Sequence, residues 1–308
     1  MVPQMGVGVM TWGQPKGLAR FHPAKTSYGG GPESREEEQI TFETSLQSGV
    51  NFFDTAAMYA GGASESRLGE LAQDQDVLIA SKFPGSFFFR VDDFPKELAA
   101  SLARLGRNSI DLYQHHFPNR SLSIPDLMNR LADAVDTGKV KAVGVSNYSA
   151  EQMRTAHDAL AKRGIPLASN QVEYSLIHRQ PETNGVLEAC RELEITLIAY
   201  QPLASGALTG KYLSGPRPTG LRRFMPYFRA SEMEAITTVV QLLREIGERY
   251  SKDPAQVALR WLIQQENVIP IPGAKNVRQM ASNAEALSFS LTTEEVEQIA
   301  QATTAWRT

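Results

Sequence analysis

Val77-Leu-Ile-Ala80 and Ile195-Thr-Leu-Ile-Ala-Tyr200 are apolar on nearly every residue, and each runs into polar residues, Ser81-Lys82 and Gln201. A strand with one wet face alternates, whereas an apolar run of this length suits a parallel strand covered on both faces. Working outward, similar short runs lie near 5–10, 50–54, 110–115, 140–145, 168–172 and 267–271, with these two spanning 77–81 and 195–200. Between them stand helical patterns such as Glu97–Leu105, Leu127–Val135 and Glu182–Leu193, with breaks at Gly106, Gly138 and Gly164. Eight strands separated by helices predict an α/β fold, a closed (β/α)8 TIM barrel, with a doubly wound sheet as the alternative. Barrels run at 308 residues as one unit, so 1–308 is read as a single domain.

Two stretches interrupt the alternation. Residues 13–34 are rich in Gly, Pro and polar groups and read as a long loop after the first strand. Residues 201–230, which carry Arg222-Arg223, form another after the seventh. Both belong to the C-terminal mouth of a barrel, and loops of that length in a compact domain are usually functional. Two helical patterns, 232–249 and 254–265, precede the last strand.

Hydrophobic content of 42%, charged content of 21% and a net charge of −3 describe an ordinary globular chain. With a sequence pI near 6.0, no nucleic acid or anionic membrane is expected as partner. A phosphate-bearing ligand must then be held by a local basic cluster. The single cysteine, Cys190, excludes an internal disulfide and reads as a buried apolar side chain. No metal site is expected. Neither a signal peptide nor an apolar run of the ~18 residues that span a bilayer is read, so a cytoplasmic location is the expectation, and a monomer is slightly favoured over an oligomer. A plastid stroma is the alternative if the chain is a mature plant protein.

Active sites in such barrels gather at the C-terminal strand ends. Here those ends are polar one after another: Asp54 with Tyr59 five residues on, Ser81-Lys82, His115-His116, Ser146-Asn147, Asn170-Gln171, Tyr200-Gln201, and Gly273-Ala-Lys275-Asn276. Each has a bland reading taken alone. Asp54 resembles a helix cap, Lys82 a solvated strand end, Tyr59 a packing residue, and Ser146-Asn147 a cap for the helix starting near Ser149. Seven polar ends at the one face that builds sites make a site.

These residues fall into motifs that resemble the aldo-keto reductase superfamily: Asp54-Thr-Ala-Ala-Met-Tyr59, Ile79-Ala-Ser-Lys82, Asp111-Leu-Tyr-Gln-His-His116-Phe-Pro118 and Val143-Gly-Val-Ser-Asn147. Asn170-Gln-Val-Glu-Tyr174, Ala199-Tyr-Gln-Pro-Leu203, Gly206-Ala-Leu-Thr-Gly-Lys-Tyr212 and Ile271-Pro-Gly-Ala-Lys-Asn276 continue them in family order. Bacterial and plant-plastid members are the nearer likeness and the potassium channel β subunits a more distant one. The resemblance implies an NADP-dependent enzyme that reduces a small aldehyde or ketone, with a non-catalytic NADP-binding regulatory subunit as the alternative. It makes Asp54, Tyr59, Lys82 and His116 the catalytic set. His115 stands where an aliphatic residue is usual, Ala60 where Gly follows the tyrosine, Gln201 where Ser is common, and Val9-Met10 where Thr-Trp is frequent.

For NADP(H), the resemblance assigns Ser146, Asn147 and Gln171 to the carboxamide and Tyr200 to the nicotinamide face. Gln201, Pro202, Leu203, Ser205 and Lys211 would line the pyrophosphate path, and Gly273, Lys275, Gln279 and Asn283 the adenosine end. Met10 and Asp54 border the groove, and Arg222 joins Lys275 as a candidate for the 2′-phosphate. No Gly-x-Gly-x-x-Gly follows a strand, so a Rossmann site is not expected. Reduction of a carbonyl needs a proton at oxygen, and a free tyrosine, with a pKa of about 10, is a weak acid at neutral pH. An ammonium beside it favours the phenolate, which is the part expected of Lys82, held by Asp54. Trp12, Phe87, Phe88 and Phe89 are candidates for lining the substrate space.

Overall fold

The computed structural model describes residues 3–14, 33–84, 89–119, 122–213, 218 and 223–307. Eight parallel strands follow one another in chain order: β1 Val7–Gly8, β2 Phe52–Asp54, β3 Leu78–Phe83, β4 Ile110–His115, β5 Val140–Ser146, β6 Leu167–Glu173, β7 Thr196–Tyr200 and β8 Val268–Pro270. Beyond β8 the chain returns to β1. Gly6 N–H donates to the Pro270 carbonyl at 3.0 Å and Gly8 N–H to that of Pro272 at 3.1 Å, and Gly8 bridges Gly273. The barrel is closed along this seam.

Helices fill the connections, as parallel neighbours require. They are α1 Arg35–Gln47, α2 Ala63–Leu71, α3 Phe94–Leu105, α4 Ile124–Asp136, α5 Ala150–Ala161 and α6 Val186–Glu192. Then come α7 Ala230–Glu248 and α8 Pro254–Ile263 before β8, and α9 Val277–Ala284 and α10 Thr293–Ala302 after it. Their starts are legible chemistry. Ser149 opens α5 with a capping box, its hydroxyl accepting from Gln152 N–H while the Gln152 side chain takes Ser149 N–H. Ser146 and Asn147 are therefore not spent as caps.

Strand alternation sorts side chains into two shells. Outward residues Phe53, Ile79, Phe83, Tyr113, Val143, Val145 and Leu197 join the large core shared with the helices. Inward, Phe52, Ala80, Ile198, Ile269 and Ile271 pack as a separate plug. The next inward residues toward the strand ends are Asp54, Lys82, Gln114, Gly144 and Gln171. Gly144 is required there, because a Cβ would meet Ser169 Oγ at 2.3 Å and Gln114 Cγ at 2.9 Å. An apolar floor thus carries a polar layer at the end where the loops gather.

The expected strands are present, with their ends shifted, most at β1 and β8. β1 and β8 are shorter than 5–10 and 267–271, since Pro270 and Pro272 accept from β1 but have no N–H to return. The helix expected over 182–193 is a 3₁₀ turn at Gln180–Glu182 followed by α6 alone. Gly185, at φ +82°, breaks it in the left-handed region. The expectations for most of 13–34, for Phe87 and Phe88 and for Arg222 fall outside the described residues. No helix among the described residues is long and apolar enough to cross a membrane. None of their His, Cys, Asp and Glu side chains are grouped to hold a metal ion.

Candidate active site

Two inward charges define the centre of the polar layer. Lys82, fully buried at the end of β3, places Nζ 2.5 Å from Asp54 Oδ1 and 2.8 Å from the Thr55 carbonyl. The other Asp54 oxygen accepts from Gln171 Nε2 at 2.8 Å and Gln114 Nε2 at 3.4 Å. Asp54 is therefore no helix cap, and Lys82 no solvated strand end. Burial pushes the Lys82 ammonium below its usual range, opposed by Asp54 and by the charge of Glu65. The pair is worth little as a stabilising bond, since desolvating two charges offsets their attraction. What it holds is a cation in a fixed place.

Tyr59 reaches this cation through a tight reversal. After β2 it opens a 3₁₀ turn, Tyr59–Gly62, in which Ala60, Gly61 and Gly62 have φ of 51°, 64° and 88°. The turn folds the phenol ring back so that Lys82 Nζ lies 5.1 Å from its centroid. His116, just past β4, meets the same ring edge-on, 5.5 Å between centroids. Its other neighbour is Phe117, stacked at 4.4 Å with its own ring half exposed. Burial, with Lys82 and His115 adding to it, holds His116 well below its usual pKa, so the ring is neutral. Its buried Nδ1 has no partner. In a neutral ring one nitrogen donates and the other accepts, and with Nδ1 as the acceptor Nε2 would carry the proton.

Asp54, Tyr59, Lys82 and His116 are thus brought together, and His115 is not. It faces outward, with Nδ1 2.7 Å from Tyr148 Oη and its ring against Phe83. Burial lowers its pKa to about 4.

The rim continues along β5 to β7. Asn147, at φ +62°, gives Nδ2 to the His116 carbonyl and to Ser146 Oγ, both at 3.0 Å, and its Oδ1 accepts from Tyr200 Oη at 3.0 Å. Ser146 Oγ donates to the Gln171 carbonyl at 2.8 Å. Gln201 and Ser205 both take left-handed φ and bond to each other at 2.9 Å, with buried Pro202 and half-buried Leu203 between. Lys211 lies over the Tyr212 ring, 4.7 Å from its centroid.

Past β8, Asn276 caps α9 by accepting from Gln279 N–H at 2.9 Å, while the Gln279 side chain takes Lys275 N–H at 3.0 Å. Asn283 Nδ2 is 3.4 Å from the Gly273 carbonyl. Met10 lies half-buried in the turn after β1. Trp12 does not line an open space. It is buried, with Nε1 on the Ala274 carbonyl at 2.8 Å, and so braces the β8 turn. Phe89 is half-buried against Phe83.

Two participants escape the sequence reading. Gln114 shares its inward phase with Leu112 and His116, and strict alternation along β4 finds it. Glu65 has no local signal. It is buried on α2, where Ser81 Oγ at 2.5 Å and Arg104 Nε at 2.6 Å neutralise it behind Lys82.

The model of the Aldo/keto reductase family matches residues 4–304. Over 97% of its length the chain is 34% identical to a chloroplastic pyridoxal reductase of Arabidopsis thaliana, covering 82% of it. It is 33% identical, over 88% of this chain and 84% of the other, to an NADP(+) aldo-keto reductase of Schizosaccharomyces pombe. Among solved structures, the glycerol dehydrogenase of Gluconobacter oxydans superposes with a TM-score of 0.82 at 26% identity, across 97% of this chain and 90% of that one.

Proposed function

The chain belongs to the aldo/keto reductase family, and on that premise we propose that it is an NADP(H)-dependent reductase of a small aldehyde or ketone, with Tyr59 as the proton donor. The observation that carries the reading is the arrangement of Tyr59 and neutral His116 around one buried ammonium, itself fixed by Asp54.

The groove suits the cofactor by the donors and acceptors it has left. Gln171 spends its Nε2 on Asp54 and keeps a carbonyl oxygen, and Asn147 Oδ1 keeps one lone pair beside the Tyr200 bond. Those acceptors, with Ser146, match the amide hydrogens of a carboxamide, and the Tyr200 ring offers it a face. Gln201, Pro202, Leu203, Ser205 and Lys211 would follow the pyrophosphate. Gly273, Lys275, Gln279, Asn283 and Met10 would border the rest, with the α9 N-terminus and Lys275 offered to a phosphate. A bound nicotinamide supplies the hydride at the carbonyl carbon.

The chain's own part is at the oxygen. Tyr59 gives its phenolic proton as negative charge builds there, and the Lys82 ammonium stabilises the phenolate left behind. Asp54, with Gln114 and Gln171 on its second oxygen, keeps Lys82 from drifting. His116 donates from Nε2 to the same carbonyl oxygen and orients it. Acid–base placement of this kind contributes roughly 10²–10⁴-fold. The test follows NADPH oxidation by wild type and Tyr59→Phe with a panel of aldehydes, ketones and pyridoxal. Tyr59→Phe is expected to lose nearly all turnover and to bind NADPH as wild type does, because the phenol serves substrate rather than cofactor. A variant that turns over normally would remove Tyr59 from its role.

A further inference from the structure

Consecutive residues at the ends of β4 and β5 are joined twice, once on each face of the barrel wall. On the inner face Asn147 Nδ2 donates to the His116 carbonyl at 3.0 Å. On the outer face the very next residues, His115 and Tyr148, meet at 2.7 Å through Nδ1 and Oη. We infer that His115 is a positioning residue: its bond to Tyr148 is the outer half of a tie that holds His116 and Asn147 in place at the barrel mouth.

The inference deepens the functional reading above, since it concerns how two residues of that site are held. Asn147 sits in the left-handed region, which no strand ladder maintains by itself. Its successor Tyr148 is fixed at three points. Asn170 takes its N–H at 3.4 Å and donates to its carbonyl at 3.0 Å, and His115 holds its hydroxyl. The backbone at 147–148 is thereby pinned from behind, leaving the Asn147 amide directed at His116 and Tyr200.

The pair is not an economical way to fill space. Neutral imidazole has one N–H and the tyrosine one O–H, but only one bond joins them. Nε2 of His115 is buried without a partner. If the ring proton is on Nε2, that N–H is orphaned. If it is on Nδ1, the Tyr148 O–H is orphaned instead. Two apolar side chains of the same shape would carry no such penalty. What a hydrogen bond adds over apolar contact is direction.

The experiment compares wild type with His115→Leu/Tyr148→Phe, which removes both polar partners, with Tyr148→Phe alone, which removes one oxygen, and with His115→Asn, which keeps a polar atom where Nδ1 stands. The double variant is expected to melt no lower than wild type. In the protein without cofactor, its amides at 147 and 148 should exchange about tenfold faster while the rest of the barrel stays protected. NADPH affinity and kcat should each fall by about tenfold, the scale of one neutral hydrogen bond. His115→Asn should restore all three. Wild-type exchange at 147–148 in both the double variant and Tyr148→Phe overturns the tie, whatever the enzyme assays give. A wild-type protein that reduces no carbonyl counts against the proposed function, and the exchange measurement still decides the tie.

Discussion

Ala60 adopts φ 51°, ψ 32° directly after the proposed acid. A Cβ in that conformation is strained by roughly 1–2 kcal/mol, of which a glycine would return part to unfolded-state entropy. Ala60→Gly is therefore expected to stabilise the fold by about 0.5–1 kcal/mol without loss of turnover. Urea unfolding monitored by circular dichroism checks the first part and the aldehyde assay the second. His115 and His116 set an acid limit. Both bases have folded pKa values below the ordinary 6.5, about 4 for His115. Between pH 6.5 and 4 the unfolded chain binds protons that the folded chain refuses, so stability is full above 6.5 and falls as the pH drops. His115 alone accounts for roughly 3 kcal/mol of that fall. In urea midpoints measured from pH 7 to 4.5, His115→Leu should show a visibly shallower slope; an unchanged slope would assign the titration elsewhere. Of the four residues proposed for the site, the sequence places Asp54, Lys82 and His116 at strand ends, and the family motif adds Tyr59 five residues past Asp54. The sequence is silent on Glu65 and on Tyr148, whose partners lie 16 and 33 residues away and leave no periodic trace.

At the scale of elements, α9 is the short helix whose N-terminus carries the proposed phosphate site. Asn276 and Gln279 cap it reciprocally around Lys275, so the turn is stiff and its lysine is presented from a fixed backbone. A charge-assisted contact to the 2′-phosphate is worth about 1.5–3 kcal/mol, or roughly 10–150-fold in affinity. Lys275→Met should weaken NADPH binding by about that factor and leave NADH binding nearly unchanged, read by fluorescence titration. Equal losses for both cofactors would mean that the lysine does not read the 2′-phosphate. The strands were legible because burial on two faces makes them apolar throughout, and α3 and α4 because their apolar stripes are regular. The 182–193 pattern misled because the apolar spacing continues through Gly185, and a left-handed glycine stops a helix without disturbing the pattern on either side.

The barrel's eight joints are not equal. Along β4 and β5 the pairing runs from Ile110 and Val140 to His115 and Val145, whereas β1 meets the β8 edge through two N–H donors and two prolines that return none. Native-state hydrogen exchange is expected to release the amides of Gly6 and Gly8 well before those of β4 and β5, and simultaneous release would contradict a weak seam. Helix α10 is tied to Arg179 through the Ala300 carbonyl, with Thr303 just past its end. The seam also fixes an order of events during synthesis. β1 leaves the ribosome about 260 residues before β8, which at ~5–20 residues per second is a wait of roughly 13–50 s. Through that interval β2 can pair with β1 on one side only, and the Gly6 and Gly8 amides face water or a chaperone. The nascent chain is an open fan of strands until β8 emerges, and the mouth that would hold the cofactor is completed by the same strand that closes the fan.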